Sequence, residues 1–173
     1  MVGRAYGDED IPEPGVRDAV IVGLFDIGTQ LHGGTDPARK VIIQFELSSC
    51  GRPDPWWIYE QVKLAFSKYS KLRLFVEGMM GRCFSEREVQ SFNLVDILGR
   101  ECTVHVFHET KDGKVRARIH GVLPCIAHGR IKSPLRVFSV DQLENAAELG
   151  EAKLPEWMAG MVAKSVEYQK LRP

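Results

Sequence analysis

One stretch, residues 99–124 with the sequence GRECTVHVFHETKDGKVRARIHGVLP, constrains the fold of this chain more than any other. Two runs of alternating side chains flank Asp112-Gly113, and Asp-Gly between such runs is among the strongest short-range signals for a β-hairpin with a tight primed turn. If these two residues form the turn, the cross-strand pairs follow by counting outward. The predicted pairs are Lys111 with Lys114, Glu109 with Arg116, Phe107 with Arg118, and His105 with His120.

The two faces of this hairpin differ in chemistry, because side chains alternate along a strand and one face must meet a core. The opposite, outward face carries cations and rings, which are what a nucleic-acid strand needs for its phosphates and its bases. The hairpin therefore predicts a basic, aromatic surface. The residues predicted to face the core are Val104, Val106, His108, Val115, Ala117, Ile119 and Val122.

Three further strands are predicted before a helical region. Residues 19–31 are rich in β-branched and aromatic side chains, and Gly23 and Gly28 are typical of a bend or bulge within a long strand. Residues 39–47 alternate as strand two, and residues 56–66 as strand three. In strand three, Ile58 and Val62 are predicted to point inward with Glu60 as the exception, and Trp57, Tyr59 and Lys63 to point outward.

Helix signals follow the third strand. Ser67 or Ser70 is a candidate cap for a helix that ends at Gly81, and Ser85 with Glu88 matches a capping box. After the hairpin, we expect a short extended segment at 134–140, a brief helix at 141–149 and a longer helix that begins near Pro155. Trp157, Met161, Val162 and Val166 are expected to form the stripe on that helix that docks on the barrel or on a second subunit.

The order of elements predicts a mainly β fold with α-helices, of the OB type. That fold is a five-stranded Greek-key barrel, here with a helix between strands three and four and an extra C-terminal helix. We expect residues 1–18 to form a flexible N-terminal arm, residues 19–140 the OB-fold domain and residues 141–173 a C-terminal helical extension.

The composition narrows the class of protein. The 173 residues include 23 basic and 23 acidic side chains, and this balance argues against wrapping duplex DNA by bulk charge. No apolar run approaches the roughly 20 residues of a membrane helix, and the first residues do not resemble a secretory signal, so we expect a cytoplasmic protein. Cys50, Cys83, Cys102 and Cys125 lie far apart, which favours free thiols over a disulfide framework.

Several longer segments of the sequence resemble a family of small phage proteins identified as OB-fold single-stranded-DNA-binding proteins. They are DIGTQ (26–30), KVIIQFEL (40–47), GRCFSEREVQSFNLVDILGREC (81–102), HETKDGK (108–114) and LPEW (154–157). The resemblance spans most of the chain after the arm and implies a role in phage-type DNA replication or recombination, within the host cytoplasm. Many single-strand binders end in an acidic tail, whereas this sequence ends QKLRP, so recruitment through an acidic tip is not expected.

Candidate binding residues come from the outward faces of strand three and the hairpin. Stacking tolerates any base, and Lys and Arg meet phosphates, so the pattern predicts binding without sequence preference. In a purely structural alternative, Trp56 or Trp57 lies under the C-terminal helix and the arginines pair with Glu109 and Glu101. The nucleic-acid-binding candidates are Trp57, Tyr59, Lys63, His105, Phe107, Lys114, Arg116, Arg118 and His120.

Metal and catalytic signals are weak. His105 and His108 are three apart on a strand and so point to opposite faces, which disfavours joint chelation. Cys125 and His128 lie in a loop and would need further ligands. The sequence contains no Gly-x-Ser-x-Gly, Walker or dinucleotide motif. We therefore predict neither an enzyme, nor a cofactor, nor a metal site.

Two functions remain from the sequence. The first is a single-stranded-DNA-binding protein that covers unpaired DNA stoichiometrically, with possible contacts to replication or recombination proteins and possible homo-oligomers. The alternative is an OB-type protein-interaction module in replication or in host–phage interplay, which the neutral charge favours.

Overall fold

The protein is built around a single sheet, seen in a computed structural model that describes residues 11–31, 36–48, 55–125 and 132–172. Five strands form an antiparallel path in the order β3-β2-β1-β4-β5, and a sixth pairs in parallel with β1. The strands are β1 (Gly15–Gln30), β2 (Ala38–Leu47), β3 (Trp56–Lys63), β4 (Glu101–Lys111), β5 (Lys114–Pro124) and β6 (Arg136–Ser139).

The mainly β prediction is confirmed, whereas the closed barrel is not. Strands β3 and β5 end the path, and in the described residues no backbone ladder joins them, so the sheet is open. Strand β1 begins at Gly15, inside the segment expected to be an arm, and residues 1–10 lie outside the described residues. Next to that start, the His108 ring nitrogen Nε2 lies 2.9 Å from the carbonyl oxygen of Pro12.

Strand β1 contains a bulge and contributes side chains to two apolar cores. Ala19 and Ile21 face the inner core, a register shift follows between Ile21 and Gly23, and Leu24 then faces the same core. Phe25 and Ile27 face the other way, toward a second core. A bulge adds one residue to a strand and so reverses which face the next side chain meets. This long strand can therefore bury both of its sides.

The predicted hairpin is confirmed, with one correction. Asp112 and Gly113 both have positive φ, 53° and 72°, as a type I′ turn requires. The first three predicted pairs are present, but His105 lies opposite Gly121 rather than His120, so that pair was wrong. A bulge between the pairs Val106–Ile119 and His105–Gly121 adds His120 as an extra residue on β5. His108, expected to face the core, is exposed.

Two helices follow β3, as predicted: α1 (Lys71–Met80) and α2 (Glu86–Ser91). The Ser70 side chain caps α1, which ends at a left-handed Gly81. Ser85 and Glu88 form the predicted capping box at the start of α2. None of the helices in the described part of the chain is long and apolar enough to cross a membrane.

Helix α1 packs closely on β5, and Gly78 is the reason. A Cβ at position 78 would lie 2.1 Å from the carbonyl oxygen of Val122. The neighbouring Glu77 holds the next segment, because its carboxylate accepts from the Phe84 backbone N–H (2.9 Å) and from Arg73 Nε (2.7 Å). The backbone hydrogen bond from Phe84 and then the one from Arg73 lower the pKa of Glu77.

The C-terminal region differs from its prediction in detail. It contains α3 (Glu148–Glu151), α4 (Glu156–Val162) and α5 (Val166–Gln169). The helix predicted at 141–149 is wrong, because Asn145 and Glu148 use their side chains to bind nearby backbone amides. The predicted long helix is interrupted at Ser165, whose hydroxyl accepts from the backbone N–H of Tyr168 and begins α5.

Two apolar cores stabilise the sheet from opposite faces. The inner core lies between the sheet and α1, and the outer core lies between β1–β2 and the C-terminal segment, residues 132–172. Phe45, Ile58 and Phe75 represent the inner core, while Phe25 and Ile42 belong to the outer one. The fully or nearly buried members of the outer core are Phe25, Ile27, Ile42, Phe138, Val140, Met158, Val162 and Tyr168.

Candidate nucleic-acid interface

A groove of about 310 Å³ runs between β3 and the β4–β5 hairpin; we call it the basic groove. Two strand pairings position its cations. Lys40 on β2 lies opposite Lys63 on β3, and the hairpin supplies the other wall. Strand pairing therefore places residues from distant parts of the chain around one cleft. The charged residues that line the groove are Lys40, Lys63, Lys111, Arg116, Arg118 and Glu109.

Positive charge in the basic groove exceeds negative charge. In the described chain, Lys63, Lys111 and Arg116 have no carboxylate within salt-bridge distance, whereas Arg118 lies 3.4 Å from Glu109. Partial burial and then the nearby charge of Lys63 lower the pKa of Lys40. Since like charges held together are unfavourable, an anion in the groove would relieve this repulsion.

A buried carboxylate, Glu60, joins the two ends of the sheet beside this groove. Although Glu60 lies on β3, it accepts from the backbone N–H of Ile119 on β5 at 2.9 Å. It also accepts from Arg118 at 2.9 and 3.1 Å, and from Lys71 Nζ at 2.9 Å. The side chain of Glu60 is fully buried, and its hydrogen bond raises the pKa of Arg118. Glu60 thus links β3 to β5 through its side chain, whereas in a closed barrel these two strands would be joined by backbone hydrogen bonds.

Trp57 and Tyr59 lie outside the basic groove. The Tyr59 ring meets Trp157 of α4 edge to face, with centroids 5.4 Å apart. Trp57 donates its indole N–H to the Ser133 hydroxyl at 2.8 Å. The neighbouring Glu46 accepts from two backbone amides of the C-terminal segment, at Lys132 and Ser133, with distances of 2.6 and 2.9 Å. The outer face of β2–β3 is therefore covered by the chain's own C-terminal segment.

His105, Phe107 and His120 come together on the outer side of the hairpin. The His120 ring lies 6.0 Å from each of the other two rings, edge to face in both cases. Phe107 and His120 line a second pocket, of about 360 Å³, between α1 and β5. Lys114 is exposed beside the turn of the hairpin. The predicted site residues thus divide among the basic groove, this second pocket, the hairpin tip and the covered face.

An ionic network at the opposite side of the sheet fixes the C-terminal segment. Arg39 on β2 contacts Asp26 on β1 and Asp141 after β6, each at 2.5 Å, and Glu167 of α5 at 3.9 Å. The hydrogen bond with Asp26 is the main cause that raises the pKa of Arg39. Burial raises the pKa of Glu167, but hydrogen bonds from Thr29 outweigh it, and the net shift is downward. This network joins β1 and β2 to the segment after β6 and to α5, and so holds the C-terminal segment on the sheet.

The described residues contain no group of three or more side chains able to hold a metal ion. Burial, then the nearby Cys125 and Asp18, raises the pKa of the Cys102 thiol to about 12, so this cysteine stays protonated. His128, considered above as a partner of Cys125, lies outside the described residues.

Sequence reasoning missed two cations of the basic groove, Lys40 and Lys111. The signal that could have indicated Lys40 is strand pairing, because the β2–β3 register places Lys40 opposite Lys63. The sequence predicts Lys111 on the outward face of the hairpin, but the predicted site residues do not include it. Neither a protein-family model nor a curated protein sequence matches the chain.

Proposed function

We propose that this protein binds single-stranded DNA in the basic groove, as an OB-type single-strand-binding protein. The strand order supports the fold, because β1 pairs with both β2 and β4, and β3 and β5 meet through Glu60. OB-folds are partly open five-stranded barrels that bind oligonucleotides on the face of strands two and three, with the loops between strands one and two and between strands four and five. In this chain the C-terminal segment covers the outer face of β2–β3, and the loop between strands four and five is the Asp112-Gly113 turn, next to Lys111 in the groove.

The observation that carries the proposal is the charge of the basic groove. In a chain whose net charge is zero, five cations and one carboxylate line a single cleft. Lysine and arginine neutralise phosphates, and this sequence-independent attraction supplies most of non-specific nucleic-acid affinity. A single groove lined by cations is suited to bind the phosphate backbone of a single nucleic-acid strand.

Single strands fit the groove better than duplex DNA does. A duplex presents two phosphate backbones and needs a broad basic surface, whereas the basic groove is a single cleft between β3 and the hairpin. The sequence resemblance supports the same conclusion, and on this proposal the protein acts in phage-type replication or recombination, in the cytoplasm of the host. On this proposal the protein acts by covering DNA, without catalysis.

The test is fluorescence anisotropy of fluorescein-labelled oligo-dT titrated with the protein at several salt concentrations, with duplex of the same length as competitor. We expect preferential binding of the single strand, which weakens as salt rises. The double variant Lys63→Ala/Arg116→Ala should reduce the slope of log K against log salt by about 1.4, because each phosphate contact on a single strand contributes about 0.7.

The matched control is the double variant Arg87→Ala/Lys164→Ala. Arg87 and Lys164 are both exposed and lie outside the basic groove. Their replacement removes the same two positive charges as the Lys63→Ala/Arg116→Ala variant. The control should keep the wild-type slope. No binding of oligo-dT at low salt, equal affinity for duplex, or an equal loss in both double variants would overturn the proposal.

A further inference from the structure

The second pocket, between α1 and β5, has the chemistry of a ring-binding site, and we call it the ring pocket. Phe107 and His120 form one wall, and Leu74 and Phe75 of α1 lie on the other. Its volume of about 360 Å³ falls within the roughly 300–1,000 Å³ of small-molecule sites. Leu74 is 53% exposed, so the pocket opens to solvent along an apolar edge.

Two cations connect this ring pocket to the basic groove. Arg118 lines the groove and lies directly opposite Phe107, which lines the pocket. Lys71 lines the pocket and shares the Glu60 carboxylate with Arg118. The two cavities are therefore neighbours, and the side chains of Arg118 and Lys71, held by the same carboxylate, lie between them.

We propose that the ring pocket holds a nucleobase of the strand whose phosphates lie in the basic groove, an inference that rests on the proposed function. A base is flat, can stack on the ring of Phe107 or His120, and is attached to a phosphate that Lys71 or Arg118 can meet. An aliphatic peptide side chain would use the apolar wall but not the cations beside it. The pocket thus supplies the stacking surface, because the C-terminal segment covers Trp57 and Tyr59.

The experiment compares fluorescein-labelled oligo-dT with an abasic oligonucleotide of equal length and charge, using anisotropy at one salt concentration. The wild-type protein should bind oligo-dT more tightly than the abasic chain. Phe107→Leu should weaken oligo-dT binding by about fivefold or more and leave abasic binding unchanged, since stacking contributes at least roughly 1 kcal/mol per base. His120→Ala, at an exposed position, should reduce the same preference even if Phe107→Leu folds poorly.

Phe84→Leu is the matched control, because Phe84 is a partly buried ring that packs on Phe66 and Phe92 away from both cavities. It should keep the wild-type preference. Equal wild-type binding of oligo-dT and the abasic chain would overturn the nucleobase pocket while leaving the proposed function intact. So would an unchanged preference in both Phe107→Leu and His120→Ala. If neither oligonucleotide binds, the proposed function fails and the pocket assignment fails with it.

Discussion

Replacing Glu60 by alanine should destabilise this protein more than the loss of an ordinary surface ion pair. The carboxylate is fully buried and accepts hydrogen bonds from Ile119, Arg118 and Lys71, as described above. Its removal leaves a backbone N–H of β5 without an acceptor. It also leaves Arg118 with Glu109 as its remaining carboxylate partner in the described chain, at 3.4 Å.

The magnitude follows from these contacts. An orphaned buried N–H costs roughly 1–3 kcal/mol, and a hydrogen bond to a charged group contributes about 1.5–3 kcal/mol. The share of Lys71 is small, at most about 1 kcal/mol, because its side chain is 41% exposed and screened by solvent. Taken together, Glu60→Ala should lower the free energy of unfolding by about 3–5 kcal/mol, the range found when one partner of a buried pair is removed.

Urea denaturation followed by circular dichroism measures this loss directly. Glu109→Ala is the control, because Glu109 contacts the same arginine from a side chain that is 42% exposed, and it should cost less than about 1 kcal/mol. Glu60→Gln should lie between the two, since an amide oxygen can still accept from Ile119 but carries no charge. A loss below about 1 kcal/mol for Glu60→Ala would refute the idea that this carboxylate joins β3 to β5.

Two further predictions concern α1. Gly78→Ala should lower the free energy of unfolding by about 1–3 kcal/mol despite alanine's better helix propensity, because the new methyl group would clash with the carbonyl oxygen of Val122. The control is Gly160→Ala in α4, where nothing lies within 4 Å of the new methyl group. In the same urea assay this control should be neutral or stabilising. The lowered pKa of Glu77 stabilises the fold above the unfolded-state value of about 4.3, and this contribution disappears as pH falls through the folded-state pKa. The difference in melting temperature between wild type and Glu77→Gln should therefore narrow on acidification below about pH 4, and a constant difference from pH 7 to 3 would contradict this.

Local chemistry explains which parts of the fold the sequence could predict. The Asp112-Gly113 turn needs positive φ at both residues, and few dipeptides other than Asp-Gly or Asn-Gly accept that. The caps at Ser70 and Ser85 depend on residues within one helical turn, so they are also readable from sequence. The hairpin register holds for the six residue pairs next to the turn and then fails at His120, because a bulge leaves no mark in an alternating pattern.

Long-range packing explains what the sequence could not predict. Tyr59 lies outward as expected, yet Trp157, almost a hundred residues later, covers it. The inward Glu60 was recognised as an exception, but its partners come from α1 and β5. The aromatic half of the predicted site is therefore redistributed, while the cations Lys63, Arg116 and Arg118 do line one groove.

The outer core has a consequence for how this chain is made. Phe25, Ile27 and Ile42 leave the ribosome early, whereas Phe138 and Met158, which cover them, are translated more than ninety residues after Ile42. At roughly 5–20 residues per second, one side of the nascent sheet stays uncovered for seconds. During that interval β1 and β2 present an apolar surface that chaperones can hold and that other nascent chains can join, so synthesis in crowded cells is the stage at which this protein is most prone to aggregate.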